Sequence, residues 1–153
     1  MITNNYYGIA INDYKYFVKQ LKLESYNHTA IQAQQVVEKL LKHLVAVFCV
    51  GHVEANDALN KHSLKKINAI LKESDINLSI NLKDLTFLQD YSFDARYPGY
   101  DFVEVSKEEA DMCVGIVEEV KKKVQDYMTE KGYCIKCGMK LTSTGQCTNL
   151  YCG

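Results

Sequence analysis

Four cysteines close the chain in the pattern Cys134-x2-Cys137, nine residues, then Cys147-x4-Cys152. A Cys-x2-Cys turn aims two thiolates at one centre, and Gly138 directly after it lets the backbone curl around an ion. The spacer contains Thr142, Ser143, Thr144 and Gly145, enough for a tight hairpin that returns the second pair. Four thiolates satisfy a tetrahedral Zn²⁺ and leave no open position, so the expected role is structural rather than catalytic. A tail of about twenty residues has almost no core of its own, and metal would supply most of its folding energy. Disulfides or free thiols are the competing reading. Cys49 and Cys113 sit in apolar helical patterns and read as small core residues.

The second candidate centre is Arg96. Lysine occurs seventeen times and arginine once, so a ligand reading of Arg96 asks for something lysine lacks. A planar guanidinium grips phosphate or carboxylate through two parallel hydrogen bonds. The competing reading pairs Arg96 with Asp94, Asp101 or a helix-end carbonyl. Tyr97 and Tyr100 flank it and could stack on a base, although capping a helical bundle is the favoured role. His62 lies beside Lys61, Lys65 and Lys66, while Lys39 and His43 are one helical turn apart. If their helices adjoin, these residues form a modest anion-binding patch; otherwise they are solvated helix faces. The four histidines (His28, His43, His52, His62) are dispersed, and no Gly-rich phosphate loop occurs. The ligand-binding candidates are Arg96, Tyr97, Lys65 and His62, and no catalytic residue is assigned.

Helices must position these residues. Tyr14, Phe17, Val18 and Leu21 recur at helical spacing within a first helix over about 11–23. A second, over about 25–49, turns Ala30, Ala33, Val37, Leu40, Leu41, Leu44 and Phe48 inward, with Gln32, Gln35, Lys39 and Lys42 largely on the other face. A third spans about 62–72. A fourth spans about 82–93 behind Asn81 as N-cap. The fifth starts at the Ser106/Glu109 capping box and ends at Gly132. Pro98-Gly99 suits the centre of a type II turn in the break between the last two. Glu118 and Glu119 precede Lys121, Lys122 and Lys123 as exposed i,i+3 and i,i+4 partners. No convincing β alternation precedes Gly132. Short loops imply antiparallel neighbours, with the second and fifth helices as the spine.

The totals bound the function. Net charge is −1, so no bulk electrostatic term favours nucleic acid or membrane, and there is no DNA-binding signature. The N-terminus lacks the basic and apolar regions of a secretory signal, and the apolar stretch 44–50 is far too short to span a bilayer. The expected compartment is the cytoplasm, where clustered cysteines are more often metal ligands than disulfides.

The segments QAQQVVEKLLKHLV (32–45), KHSLKKI (61–67) and DARYPGYDF (94–102), in this order, resemble a HEPN domain. The likeness covers about residues 5–128. The resemblance implies an up-and-down helical bundle, frequently dimeric, in a family that includes RNA-cleaving toxins, partners of small nucleotidyltransferases and modules of unknown ligand. Its nuclease branch carries an arginine followed four to six residues later by a histidine. Here Arg96 is the possible start, but the histidine positions hold Asp101, Phe102 and Val103.

The expected fold is therefore all-α: an up-and-down bundle of about five helices over 1–131, with a four-cysteine zinc-binding tail over 132–153. The expected function is a non-catalytic HEPN-type binding module for a nucleotide, RNA or a partner protein. It would form a homodimer and hold structural Zn²⁺, with a nucleotidyltransferase of a toxin-antitoxin-like system among its expected partners. The alternatives are a divergent metal-independent ribonuclease using Arg96, Asp101 and His62, or a pure interaction scaffold.

Overall fold

A computed structural model describes residues 1–152 as an all-helical fold. The helices are α1 (Tyr6–Lys22), α2 (Tyr26–Phe48), α3 (Ala55–Leu59), α4 (Leu64–Glu73), α5 (Leu82–Asp94) and α6 (Lys107–Glu130). Five match the expected helices. The sixth, α3, is a single turn too short to carry a readable period.

Helix α1 begins one turn and a half before the expected start. Asn5 caps it, its side chain accepting from the Gly8 amide at 2.7 Å. Its buried stripe therefore starts at Tyr7 and Ala10 and continues to Phe17. Gly8 hides this in the sequence, and packing explains the glycine: a Cβ there would meet the Thr3 carbonyl oxygen at 2.3 Å. The Asn81 cap and the Ser106/Glu109 capping box both form.

Helix α2 is the hub, packing against each of the other five helices. From Leu40 to Val45 every residue is buried, the polar Lys42 and His43 included. The spine is thus one central helix, with α1 and α6 among its partners. The link from α4 to α5 buries Ile76, Leu78 and Ile80 alternately, but left-handed Ser79 (φ 55°) breaks the extended run, and no strand forms. The hydrogen-bonded turn after α5 closes from Phe102 N–H to the Gly99 carbonyl, two residues later than a Pro98-Gly99-centred turn would. Gly99 takes φ 140°, which favours glycine. Lys123 pairs with Glu119 as expected, whereas Lys122 pairs forward with Asp126 and Lys121 lies over the Tyr14 ring. Among the described residues no helix is long and apolar enough to cross a membrane.

Candidate functional site

A cleft of about 340 Å³ is lined by Gln34, Gln35, Glu38 and Lys39 of α2, by His62, by Gln89, Ser92 and Phe93 of α5, and by Arg96 and Tyr97. It brings three of the four sequence candidates together: Arg96, Tyr97 and His62. Lys65 is exposed and outside it, and Lys61 and Lys66 are drawn onto Asp57 at 3.3 and 2.6 Å. His43 lies 2% exposed against the Tyr7 ring, so the Lys39–His43 patch does not form. Asp101 lines neighbouring grooves with Asp94 rather than this cleft.

A buried polar line on α2 underlies the cleft. Gln34, Glu38 and Lys42 are spaced by four, all under 9% exposed. Lys42 Nζ donates to Glu38 Oε1 at 2.7 Å, and Gln34 Nε2 donates to Oε2 at 2.8 Å. His62 Nδ1 lies 2.9 Å from Glu38 Oε1. Burial alone would raise the Glu38 pKa, but the hydrogen bonds from Lys42, Gln34 and His62 prevail and hold it below the ordinary carboxylate value. Lys42 was expected on the exposed face; it is enclosed because α2 packs against all five other helices.

The cations lining the cleft and lying beneath it differ in how they are compensated. Lys42 is matched by Glu38, and Lys39 pairs with Asp13 of α1. Arg96 is exposed and makes no ion pair among the described residues, neither with Asp94 nor with Asp101. Tyr97 sits at the rim beside Phe93, ring centroids 5.2 Å apart.

Asn27, in the first turn of α2, holds this corner in place. Its amide donates to the Ala95 carbonyl at 3.0 Å and the Val103 carbonyl at 2.9 Å, and its Oδ1 accepts from Val105 N–H at 2.8 Å. The segment that leaves α5 is thereby tied down on both sides of Arg96.

The second site is the tail. Cys134, Cys137, Cys147 and Cys152 bring their sulfurs within 4.8 Å of one another. The Cys134–Cys152 and Cys137–Cys147 Sγ pairs are 3.6 and 3.4 Å apart. A tetrahedral ion with metal–sulfur bonds of about 2.3 Å needs edges of about 3.8 Å, so the set fits a metal. Lys136 N–H points at the Cys134 sulfur and Asn149 N–H at the Cys147 sulfur, each at 3.4 Å. Both halves therefore present the same i→i+2 amide to a thiolate, despite the longer second gap. The extra residues fold into a turn in which Asn149 accepts from Tyr151 N–H and Cys152 N–H. Isolated antiparallel bridges Tyr133–Lys140 and Leu141–Cys147 form the hairpin.

The tail is docked on the bundle. Asn5 Nδ2 donates to the Cys137 carbonyl at 3.0 Å, the Tyr7 hydroxyl donates to the Ile135 carbonyl, and Gln125 Nε2 donates to the Tyr7 oxygen at 2.8 Å. Gly138 (φ 79°) approaches so closely that a Cβ would lie 2.9 Å from Tyr7 Cβ and 3.0 Å from His43 Cε1.

A family model described as HEPN domain matches residues 4–127. No curated protein and no solved structure matches the chain significantly.

Proposed function

Because the chain belongs to the HEPN domain family, with the family model covering most of its length, we propose that it is a HEPN-type binding module whose Arg96 cleft takes a nucleotide or an RNA phosphate. The carrying observation is Arg96 itself, the uncompensated guanidinium at a cleft whose other cations already have acidic partners. Binding there costs no existing ion pair. Gln34, Gln35 and Gln89 add amides within reach of the same space, and Phe93 and Tyr97 offer faces for a base. The absent downstream histidine is the ground for reading a binding site before a ribonuclease, since proton transfer at the 2′-hydroxyl needs an acid or base.

The test is binding of ribonucleotides and short single-stranded RNA to wild type and Arg96→Ala. Loss of a charge-assisted contact costs about 1.5–3 kcal/mol, so affinity should fall roughly ten- to a hundredfold. Arg96→Lys should recover only part, since lysine keeps charge and loses the fork. Equal binding by wild type and Arg96→Ala would end the reading.

The tail metal in this reading is Zn²⁺, held by Cys134, Cys137, Cys147 and Cys152 in a structural role. All-thiolate tetrahedral coordination suits it best. The module is further read as a homodimer. The exposed aromatic surface of Phe93, Tyr97, Tyr100 and Phe102 supports this, because monomers rarely leave so many large rings in water together. Light scattering at micromolar concentration should give twice the chain mass; a strictly monomeric mass would exclude it.

A further inference from the structure

We propose that the aromatic, acidic corner between α5 and α6 seats the lysine-bearing tail of a second copy of this chain, in two reciprocal contacts. This rests on the homodimer reading and adds the two faces that meet.

Phe93, Tyr97, Tyr100 and Phe102 are all exposed, and with Asp94 and Asp101 they line one groove of about 110 Å³. Asp90, Asp94 and Asp101 border a second groove beside it. None of these three carboxylates makes an ion pair among the described residues. The first groove has the space of about three or four waters, enough for an ammonium and its last methylenes and too little for a nucleoside. Rings and carboxylates together suit that group: ring faces attract the cation and shelter its methylenes, and a carboxylate pairs with it. Lysines lie over the rings of Tyr14, Tyr16 and Tyr127, but among the described residues no cation lies over any of these four.

The tail carries the opposite set. Residues 131–152 hold Lys131, Lys136 and Lys140 and no carboxylate side chain. Cys134 and Cys137 are buried, so the lysines set the charge that the tail presents outward. Lys136 follows Ile135 and Lys140 follows Met139, all four exposed. Neither Lys136 nor Lys140 makes an ion pair among the described residues. The second cysteine pair sits against Lys140, whose carbonyl accepts from Thr148 Oγ1 at 2.7 Å, and next to it Leu150 and Tyr151 are 94% and 76% exposed. Each charge alone is well solvated. The match lies in pairing charge with uncovered apolar area on both faces, with opposite signs.

One chain cannot bring these faces together. The tail sits at the C-terminal end of α2, where Phe48 meets Tyr133, and Asn27 ties the corner to the first turn of the same helix. The helix from Asn27 to Phe48 spans roughly 30 Å. A second copy laid antiparallel places tail on corner at both ends at once. That arrangement is twofold and closed, and its two modest contacts reinforce each other. The partner's tail then also borders the Arg96 cleft, because Phe93 and Tyr97 line both spaces.

Charge reversal in the full chain tests this, read by sedimentation. One variant carries Asp90→Lys and Asp101→Lys, the other Lys136→Glu and Lys140→Glu. All four positions are exposed, which spares the fold, and circular dichroism checks it. Each variant alone sets like charges against each other at both contacts, so its dimer dissociation constant should rise roughly tenfold or more. Mixed one to one, both contacts become complementary again, and the heterodimer should form with about wild-type affinity. Tyr100→Ser and Tyr151→Ser should each weaken the dimer through the apolar part of the contact.

Unweakened dimers in both charge variants would overturn the inference and leave the homodimer reading standing. Weakening in both without recovery on mixing would also overturn it, because the two faces would then not meet each other. Masses that climb past two chains with concentration would overturn the reciprocal arrangement. A monomeric wild type would remove this inference and the homodimer reading together.

Discussion

His43 and Glu38 show how much five positions along one helix change a polar residue's circumstances. Glu38 reaches three donors beneath the cleft. His43 lies about 140° farther round the helix and is sealed beneath the tail, its Nε2 without a partner. Burial pushes its pKa down from 6.5 to about 4, so the folded protein holds it neutral. The unfolded chain protonates it near 6.5 and therefore binds more protons between those values. Stability must fall as pH drops through that window and is fully present above it. From pH 7 to pH 5 the loss from this residue is about 2 kcal/mol. His43→Leu should remove that part of the slope, while at pH 7 it gives up the backbone hydrogen bond with Gly138 that partly offsets the effect of burial. Urea unfolding of both proteins at the two pH values isolates the term, because metal-linked protonation of the thiols is common to both. An identical slope in the variant would show that His43 is not held neutral.

Between elements, the deciding contact is Asn27. It joins the first turn of α2 to the end of α5 and to the chain leading into α6. Asn27→Ala strips three hydrogen bonds from partly buried backbone and should cost about 1–3 kcal/mol. It should also weaken any Arg96-dependent binding without touching a ligand, since Ala95 is the anchor next to Arg96. Hydrogen exchange over residues 95–105 measures the first effect directly; unchanged protection would mean that the loop holds itself. Asn27's partners are 68, 76 and 78 residues distant, so no local pattern reveals it. The caps at Asn81 and at Ser106/Glu109 were legible because a cap and its amides lie within one turn of each other. The enclosure of Lys42 was not, because a helical wheel shows which residues share a face but not whether a helix has an open face. Arg96, Tyr97 and His62 stood out by type, whereas Gln34 and Glu38 became site residues only once α4 and α5 closed over α2. Lys65 was singled out by its basic neighbours and points elsewhere.

Across the whole molecule, the tail and the bundle share a small set of contacts. The core around α2 is built from α1 to α6 and does not include the cysteine hairpin. Yet Tyr7, fully buried, bonds to the hairpin backbone, and Phe48 lies edge-on to Tyr133 at 5.1 Å. The spacing of the four cysteines was readable as a self-contained clip; the seat it occupies was not, because Asn5 and Tyr7 lie at the other end of the chain. Removing the proposed tail metal from reduced protein should therefore do two things. The helical far-ultraviolet signal should persist, since the main core does not depend on the hairpin. Hydrogen exchange should rise at the start of α1, where Asn5 and Tyr7 lose their partners, and the thermal midpoint should drop. Two such hydrogen bonds amount to about 2 kcal/mol, or roughly 4–8 °C for a chain of this size. Gly138→Ala offers an independent route to the same state with metal present, because its Cβ would strike Tyr7 and its φ of 79° disfavours any side chain. If chelation opens the tail but leaves exchange at Asn5 and Tyr7 unchanged, the docking is not coupled to the metal. If the helical signal collapses instead, the clip is a support of the bundle rather than an attachment to it.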